Sequence, residues 1–168
     1  SALSNAGYYT ADRWTMKGLG TGSTTAYEAT LSQGTVTTSE ADLPALKAGH
    51  KYSFKVETTT PEVSLAADEQ YYLTQIIEAQ NLQHLAYGTA SAKTTTVSFW
   101  VKSSITGVFA FSVLKPDSPS RDIGSTYTIS SANTFEQKTI TIVGDTHANG
   151  AIVNDEGQGL YLRWYLAV

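Results

Sequence analysis

The sequence predicts an all-β fold, an antiparallel β-sandwich with at most one short helical turn. Three observations predict it. Apolar residues alternate with period two in one run after another. The composition suits pleated, half-buried surfaces, with 10 tyrosines and abundant threonine and serine. Turn residues separate the runs, and no regular helical period stands between them.

The elements follow in chain order. "TTAYEATLS" reads as a first strand. In "KYSFKVET", Tyr52, Phe54 and Val56 share one face, and Lys51, Ser53, Lys55 and Glu57 the other. The stretch "YLTQIIEAQNLQHLAYG" carries two periods. Tyr72, Ile76, Ala79 and Leu82 fit a helix face, whereas Tyr71, Leu73, Gln75 and Ile77 fit a strand. The reading taken is a strand through about Glu78, then a short helical turn over "NLQHL". In "TVSFWVKS", Val97, Phe99 and Val101 oppose Ser98, Trp100 and Lys102. "SSITG" then reads as a hairpin connection ending in glycine. Phe109, Phe111 and Val113 form one face of the next run, and "KPDSPSRD" reads as a loop because of its two prolines. "STYTIS" is a further strand. Ile140 and Ile142 alternate with Thr139 and Thr141 after it. "DTHANGAIVNDEGQG" is a long polar loop. In the closing strand Leu160, Leu162, Trp164 and Leu166 oppose Tyr161, Arg163 and Tyr165.

A chain of 168 residues suits one domain, residues 1–168, with enough length for a single core. It begins at Ser1 and stops inside an apolar run, so it is expected to be part of a longer or processed chain. The charged fraction is 15% and the net charge −4, which argues against nucleic acid as a partner, since phosphate binding needs a basic face. Cysteine is absent, which removes disulfides, thiolate catalysis and zinc–thiolate sites. No run reaches the length of a membrane-spanning helix, and no signal pattern is visible. No membrane partner is expected.

Catalytic patterns find little support. No serine lies in a G-x-S-x-G elbow. His50, His84 and His147 are scattered and have no recognisable partners. Glu78 can be nominated with Glu57 or Glu69 as a glycosidase carboxylate pair, but nothing in the spacing selects one. "GLGTG" lacks dinucleotide spacing and precedes a strand rather than the helix N-terminus that phosphate cradling needs. Asp145–Glu156 almost fits the calcium-loop pattern, with Asp145, Asn149, Gly150 and Glu156 in place. His147 breaks it by putting nitrogen where a hard cation prefers oxygen. No catalytic residue, metal ligand or cofactor is therefore expected, and the chain is expected not to be an enzyme. The aromatic residues Tyr8, Tyr9, Trp14, Tyr87, Trp100, Tyr161 and Tyr165 could stack on sugar rings or serve as core. Trp100 and Tyr161 fall opposite the apolar alternation, which leaves open a second buried surface, a subunit interface or a ligand platform. Trp14, Tyr87, Trp100 and Tyr161 are the interface or glycan-platform candidates.

One stretch carries more. "QIIEAQNLQHLAYGTASAKTTTVSFWVKSSITGVFAFSV" places Gln75, Ile77, Glu78 and Asn81 ahead of Gly88-Thr89 and Ala92-Lys93. Ser98, Phe99, Trp100, Val101, Lys102 and Ser103 follow, with Thr106 and Gly107 closing the turn. "ADRW" at 11–14, "YTISSANTFEQKTITIVGDT" and "GLYLRW" extend the pattern over nearly the whole chain. The pattern resembles a β-sandwich domain of tailed-bacteriophage virion proteins, chiefly of marine phages, found in capsid decoration (cementing) proteins and in tail spikes. Relative to that family, Ala79 stands where glycine is frequent and Phe135 where tryptophan is common. The resemblance implies a jelly roll similar to carbohydrate-binding modules and supplies no catalytic residue. It implies a virion structural protein, foremost a capsid-stabilising decoration protein on the outer capsid surface. The implied partners are the major capsid protein and further copies of itself in a homotrimer. The alternative is a tail-spike or secreted carbohydrate-binding module that recognises host-surface glycan. Gln75, Glu78 and Asn81 then form a structural motif in which Glu78 fixes a turn by bonding backbone or Asn81.

Overall fold

A computed structural model describes residues 13–20, 28–61 and 64–167. The strands are β1 (Trp14–Leu19), β2 (Glu28–Thr35), β3 (Tyr52–Thr60), β4 (Gln70–Glu78), β5 (Thr95–Val101), β6 (Gly107–Lys115), β7 (Arg121–Ile129), β8 (Glu136–Ile142) and β9 (Gln158–Ala167). A short helix α1 (Leu43–Lys47) and 3₁₀ turns over Ala79–Leu85 and Ala148–Gly150 complete the described elements. The all-β antiparallel sandwich expected from the alternation is what the chain forms.

A five-stranded sheet runs in the order β1-β4-β9-β6-β7, and two-stranded sheets pair β2 with β3 and β5 with β8. All pairings are antiparallel. One face of the large sheet carries Phe111, Val113, Tyr127, Ile129, Leu160 and Trp164, which pack with Val97, Phe99, Ile140 and Ile142 of β5–β8. The β2–β3 hairpin covers the far end of that face, where Leu31 and Val56 meet Met16 and Tyr71. Period-two alternation decides which side chains point inward, because successive Cβ atoms of a strand leave on opposite faces.

Aromatic rings join the three sheets in one continuous series. Phe54 of β3 stacks on Trp14 of β1 with centroids 5.6 Å apart, and Trp14 stacks on Trp164 of β9 at 5.3 Å. Trp164 presents to Phe99 of β5 at 5.6 Å and to Phe111 of β6 at 5.2 Å, both T-shaped. Phe99 then meets Tyr127 of β7 edge-on at 5.2 Å. Offset and edge-to-face arrangements of this kind add about 0.5–1.5 kcal/mol per pair beyond area burial.

Three features depart from the sequence reading. "SSITG" does not close a hairpin: β5 pairs with β8, and β6 with β7 and β9, so the segment carries the chain from one sheet to the other. The stacking of Phe99 over Phe111 at 6.3 Å gives the reason, since their burial against each other needs β5 and β6 face to face rather than edge to edge. Leu166 is 38% exposed instead of inward. The register slips there, with Tyr72 opposite Tyr165 and Tyr71 opposite Ala167, so Leu166 is the extra residue of a bulge. The strand expected over "TTAYEATLS" begins at Glu28, and residues 24–27 lie outside the described residues. Strand β1 and helix α1 had no counterpart in the sequence reading. The helix holds Pro44 in its first turn, where no backbone N–H is required, and Ala45 is fully buried.

Phe99 meets three rings across the sandwich, those of Phe111, Tyr127 and Trp164, so truncation leaves a cavity that rigid strands cannot fill. Phe99→Ala is expected to cost about 3–5 kcal/mol in urea unfolding, and a loss below about 1 kcal/mol would contradict the inward placement of this ring.

Candidate functional site

The motif residues converge at the end of β4. The strand stops at Glu78, and Ala79–Leu85 winds into a 3₁₀ turn that buries Ala79, Leu82 and Leu85. The first free N–H groups of that turn bond across the chain: Ala79 N–H donates to the Gly157 carbonyl and Gln80 N–H to the Asp155 carbonyl, both at 2.9 Å. The turn's far end closes on Ala86, whose φ of 53° is left-handed. Gly88 follows at φ 83°, and a Cβ there would sit 2.6 Å from Ala151. Glycine is required by both conformation and space. Gly88 N–H also donates to the Asp145 carbonyl at 2.7 Å.

Glu78 is the polar centre of this corner. Its carboxylate accepts from Arg13 Nη2 at 2.6 Å, from Gln80 Nε2 at 3.1 Å and from Asn81 Nδ2 at 3.4 Å. It makes no side-chain bond to the backbone of the turn. Arg13, itself at φ 62°, returns a second tie because its carbonyl accepts from Ile76 N–H at 3.0 Å. Sequence reasoning missed Arg13, which is 65 residues away and signalled only by the "ADRW" run. Gln75 lies in register between Trp14 of β1 and Leu162 of β9.

Of the carboxylates nominated as a glycosidase pair, Glu69 and Glu78 are not brought together. Glu69 precedes β4 and Glu78 ends it, a separation of about 30 Å at the rise of an extended strand, against the roughly 5–10 Å that flanking carboxylates need. Glu57 sits on β3 beside Lys55 at 2.8 Å. In the loop with the calcium-like pattern, Asp145 binds the Arg121 guanidinium through both oxygens and accepts His147 N–H at 3.0 Å. Arg121 holds the Asp145 carboxyl below the usual carboxylate range despite its burial. Donors thus surround the oxygen that a cation would use. Among the described residues no group of three His, Asp or Glu could hold a metal ion. No described helix is long and apolar enough to cross a membrane.

The four aromatic candidates divide by position. Trp14 lies in the aromatic series inside the sandwich, and Tyr87 is 7% exposed within the core cluster. Trp100 and Tyr161 lie on outer faces. Trp100 leans on His50 with ring centroids 6.3 Å apart, beside a Gln137–Ser98 side-chain bond of 3.2 Å. One strand position along, Lys102 pairs with Asp42 at 2.8 Å and lies 5.3 Å from the centre of the Phe135 ring. Asp42 also accepts Thr37 N–H at 3.0 Å and the Thr37 hydroxyl at 2.7 Å. The Lys102 hydrogen bond, then those from Thr37, bring the Asp42 carboxyl down to about 2. On the outer face of the large sheet the Arg163 guanidinium lies 4.9 Å from the Tyr72 ring centre and 5.8 Å from that of Tyr161. Asp122 stands 3.6 Å away. Such cation–π contacts strengthen as water is excluded.

No family model matches this chain, and no curated protein matches it. A solved structure, the enzymatically active domain of tailspike protein 4 from bacteriophage CBA120, is similar with a TM-score of 0.48 and 15% sequence identity. The similarity covers 91% of this chain and 18% of that one. That neighbour, described as enzymatically active, corrects the expectation that this chain is not an enzyme.

Two measurements check the corner and the Asp42 cluster. Glu78→Gln keeps the size and shape of the side chain but loses the charge facing Arg13; the partly exposed pair limits the cost to about 1 kcal/mol, read as a small drop in melting temperature. Asp42 has a folded pKa below its ordinary 3.8, so its contribution is present above about pH 4 and disappears as pH falls towards 2. Asp42→Asn is therefore expected to lose about 1–2 kcal/mol at pH 7 relative to the parent, with the two chains converging near pH 2. A gap that stayed constant with pH would show that the carboxylate charge contributes nothing.

Proposed function

We propose that this chain is a structural module of a tailed-phage virion, and specifically a capsid-stabilising decoration protein. One observation carries the reading. The residues of the recurring motif are engaged in holding the sandwich together: Glu78 gathers Arg13, Gln80 and Asn81, and Gly88 closes the turn against Ala151 and Asp145. A protein that braces a shell needs this kind of chain, a stiff core with turns tied at both ends and outer faces free to meet neighbours. Exposed apolar residues at Ile105 and Val108, 62% and 70% exposed, supply contact area at the end of β5 and the start of β6. The partners under this proposal are the major capsid protein and two further copies of the chain, arranged as a trimer.

A second reading has its own observation. Trp100 stands on an outer face beside the amide and hydroxyl of Gln137 and Ser98. A flat ring flanked by fixed polar groups suits the apolar and hydroxyl faces of a sugar. Under this reading the module sits on the tail and recognises host-surface glycan.

Labelling the chain in intact particles distinguishes the two. Density spread over the capsid lattice is the expected result, and density confined to the tail would replace decoration with the tail reading. A glycan array run with the parent and with Trp100→Ala checks the tail reading directly: saturable binding that the substitution removes would establish it.

A further inference from the structure

Behind the 145–150 turn lies a small cavity with room for a single water-sized group. Tyr87, Lys115, Arg121 and Asp145 form its polar wall, with Val113 and Leu160 among the aliphatic residues beside them. Gly150 lines another side, and a Cβ there would lie 2.5 Å from the Asp145 carboxylate. The polar groups do not balance. The Tyr87 hydroxyl is buried without a hydrogen-bond partner. Lys115 is 5% exposed, and its Nζ donates to the Asp117 carbonyl at 3.0 Å, which uses one of three N–H groups. Arg121 and Asp145 neutralise one another through two hydrogen bonds. The wall therefore holds unspent donors and one positive charge in excess. A buried donor without an acceptor is unfavourable, so such a wall favours an occupant that accepts hydrogen bonds. A charge in excess favours an anion, and the small volume favours a monatomic one.

We infer that this cavity binds one halide ion, chloride in ordinary media, held by Lys115 Nζ and the Tyr87 hydroxyl. The ion ties two segments that are distant in sequence: the end of β6 and the chain leaving the 3₁₀ turn. Binding to the folded state alone raises stability by mass action.

Thermal melting at constant ionic strength tests this, with sodium chloride replaced stepwise by sodium gluconate, an anion too large to enter. Chloride is expected to raise the melting temperature by a few degrees and to saturate. Tyr87→Phe separates the site from general salt effects. In gluconate the variant matches or exceeds the parent, because an unpartnered hydroxyl has been removed. In chloride it falls below the parent, because a donor to the ion is lost. Equal melting in the two salts, or a chloride increment unchanged in Tyr87→Phe, would overturn the site. A crystal grown in bromide supplies the direct reading: anomalous density beside Lys115 supports the inference, and a water there refutes it.

Discussion

The structure depends on Trp164. Its ring stands between Trp14, Phe99 and Phe111, so a single side chain of β9 touches β1, β5 and β6. Through Trp14 the contact reaches Phe54 of the β2–β3 hairpin, and through Phe99 it reaches Tyr127 of β7. Each small sheet packs on the large one through this series and the aliphatic residues around it. Two-stranded sheets are marginal alone, so β2–β3 and β5–β8 owe their persistence to rings supplied by the other layer. Burial in the same series pushes the Tyr127 hydroxyl up to about 12.

Once the inward faces are set, the outer faces follow without further choice. Trp100 must point away from the core because Phe99 and Val101 point into it. The same alternation sends Tyr161, Arg163 and Tyr165 outward from β9 beside Leu160, Leu162 and Trp164. Beneath them, carboxylates fix the irregular segments: Asp42 anchors the 37–42 turn to Lys102, and Asp145 anchors the long loop to Arg121. Each is a nearly buried acid with several donors, the condition under which a desolvated carboxylate stabilises rather than destabilises.

The site question changes character in such a fold. Glu78 draws the eye in the sequence because an acid stands among apolar residues. In the structure it is a tie between the N-terminal strand and the turn after β4, while the apolar residues around it serve the layers on either side. The calcium-like loop has a similar outcome, since the guanidinium of Arg121 occupies the carboxylate that would open a cation site. Absence of a local catalytic motif was a weak basis for excluding an enzyme. In a sandwich, groups that act together arrive from separate strands and leave no spacing to recognise.

The sequence by itself determined the fold class, the inward and outward sets of nearly all the recognised strands, and the stop of β4 at Glu78 followed by a short turn. These are local properties: a strand shows its period within six or eight residues, and a turn shows its breakers within four. Tertiary structure alone decided which strands pair, and so turned "SSITG" from a hairpin into a passage between sheets. It also decided the bulge that exposes Leu166, the helix at Leu43–Lys47, the link from Arg13 to Glu78 and the pairing of Arg121 with Asp145. None of these has a local signature. Each arises because a buried ring or charge must find its complement, and that complement lies wherever the packed layers bring it.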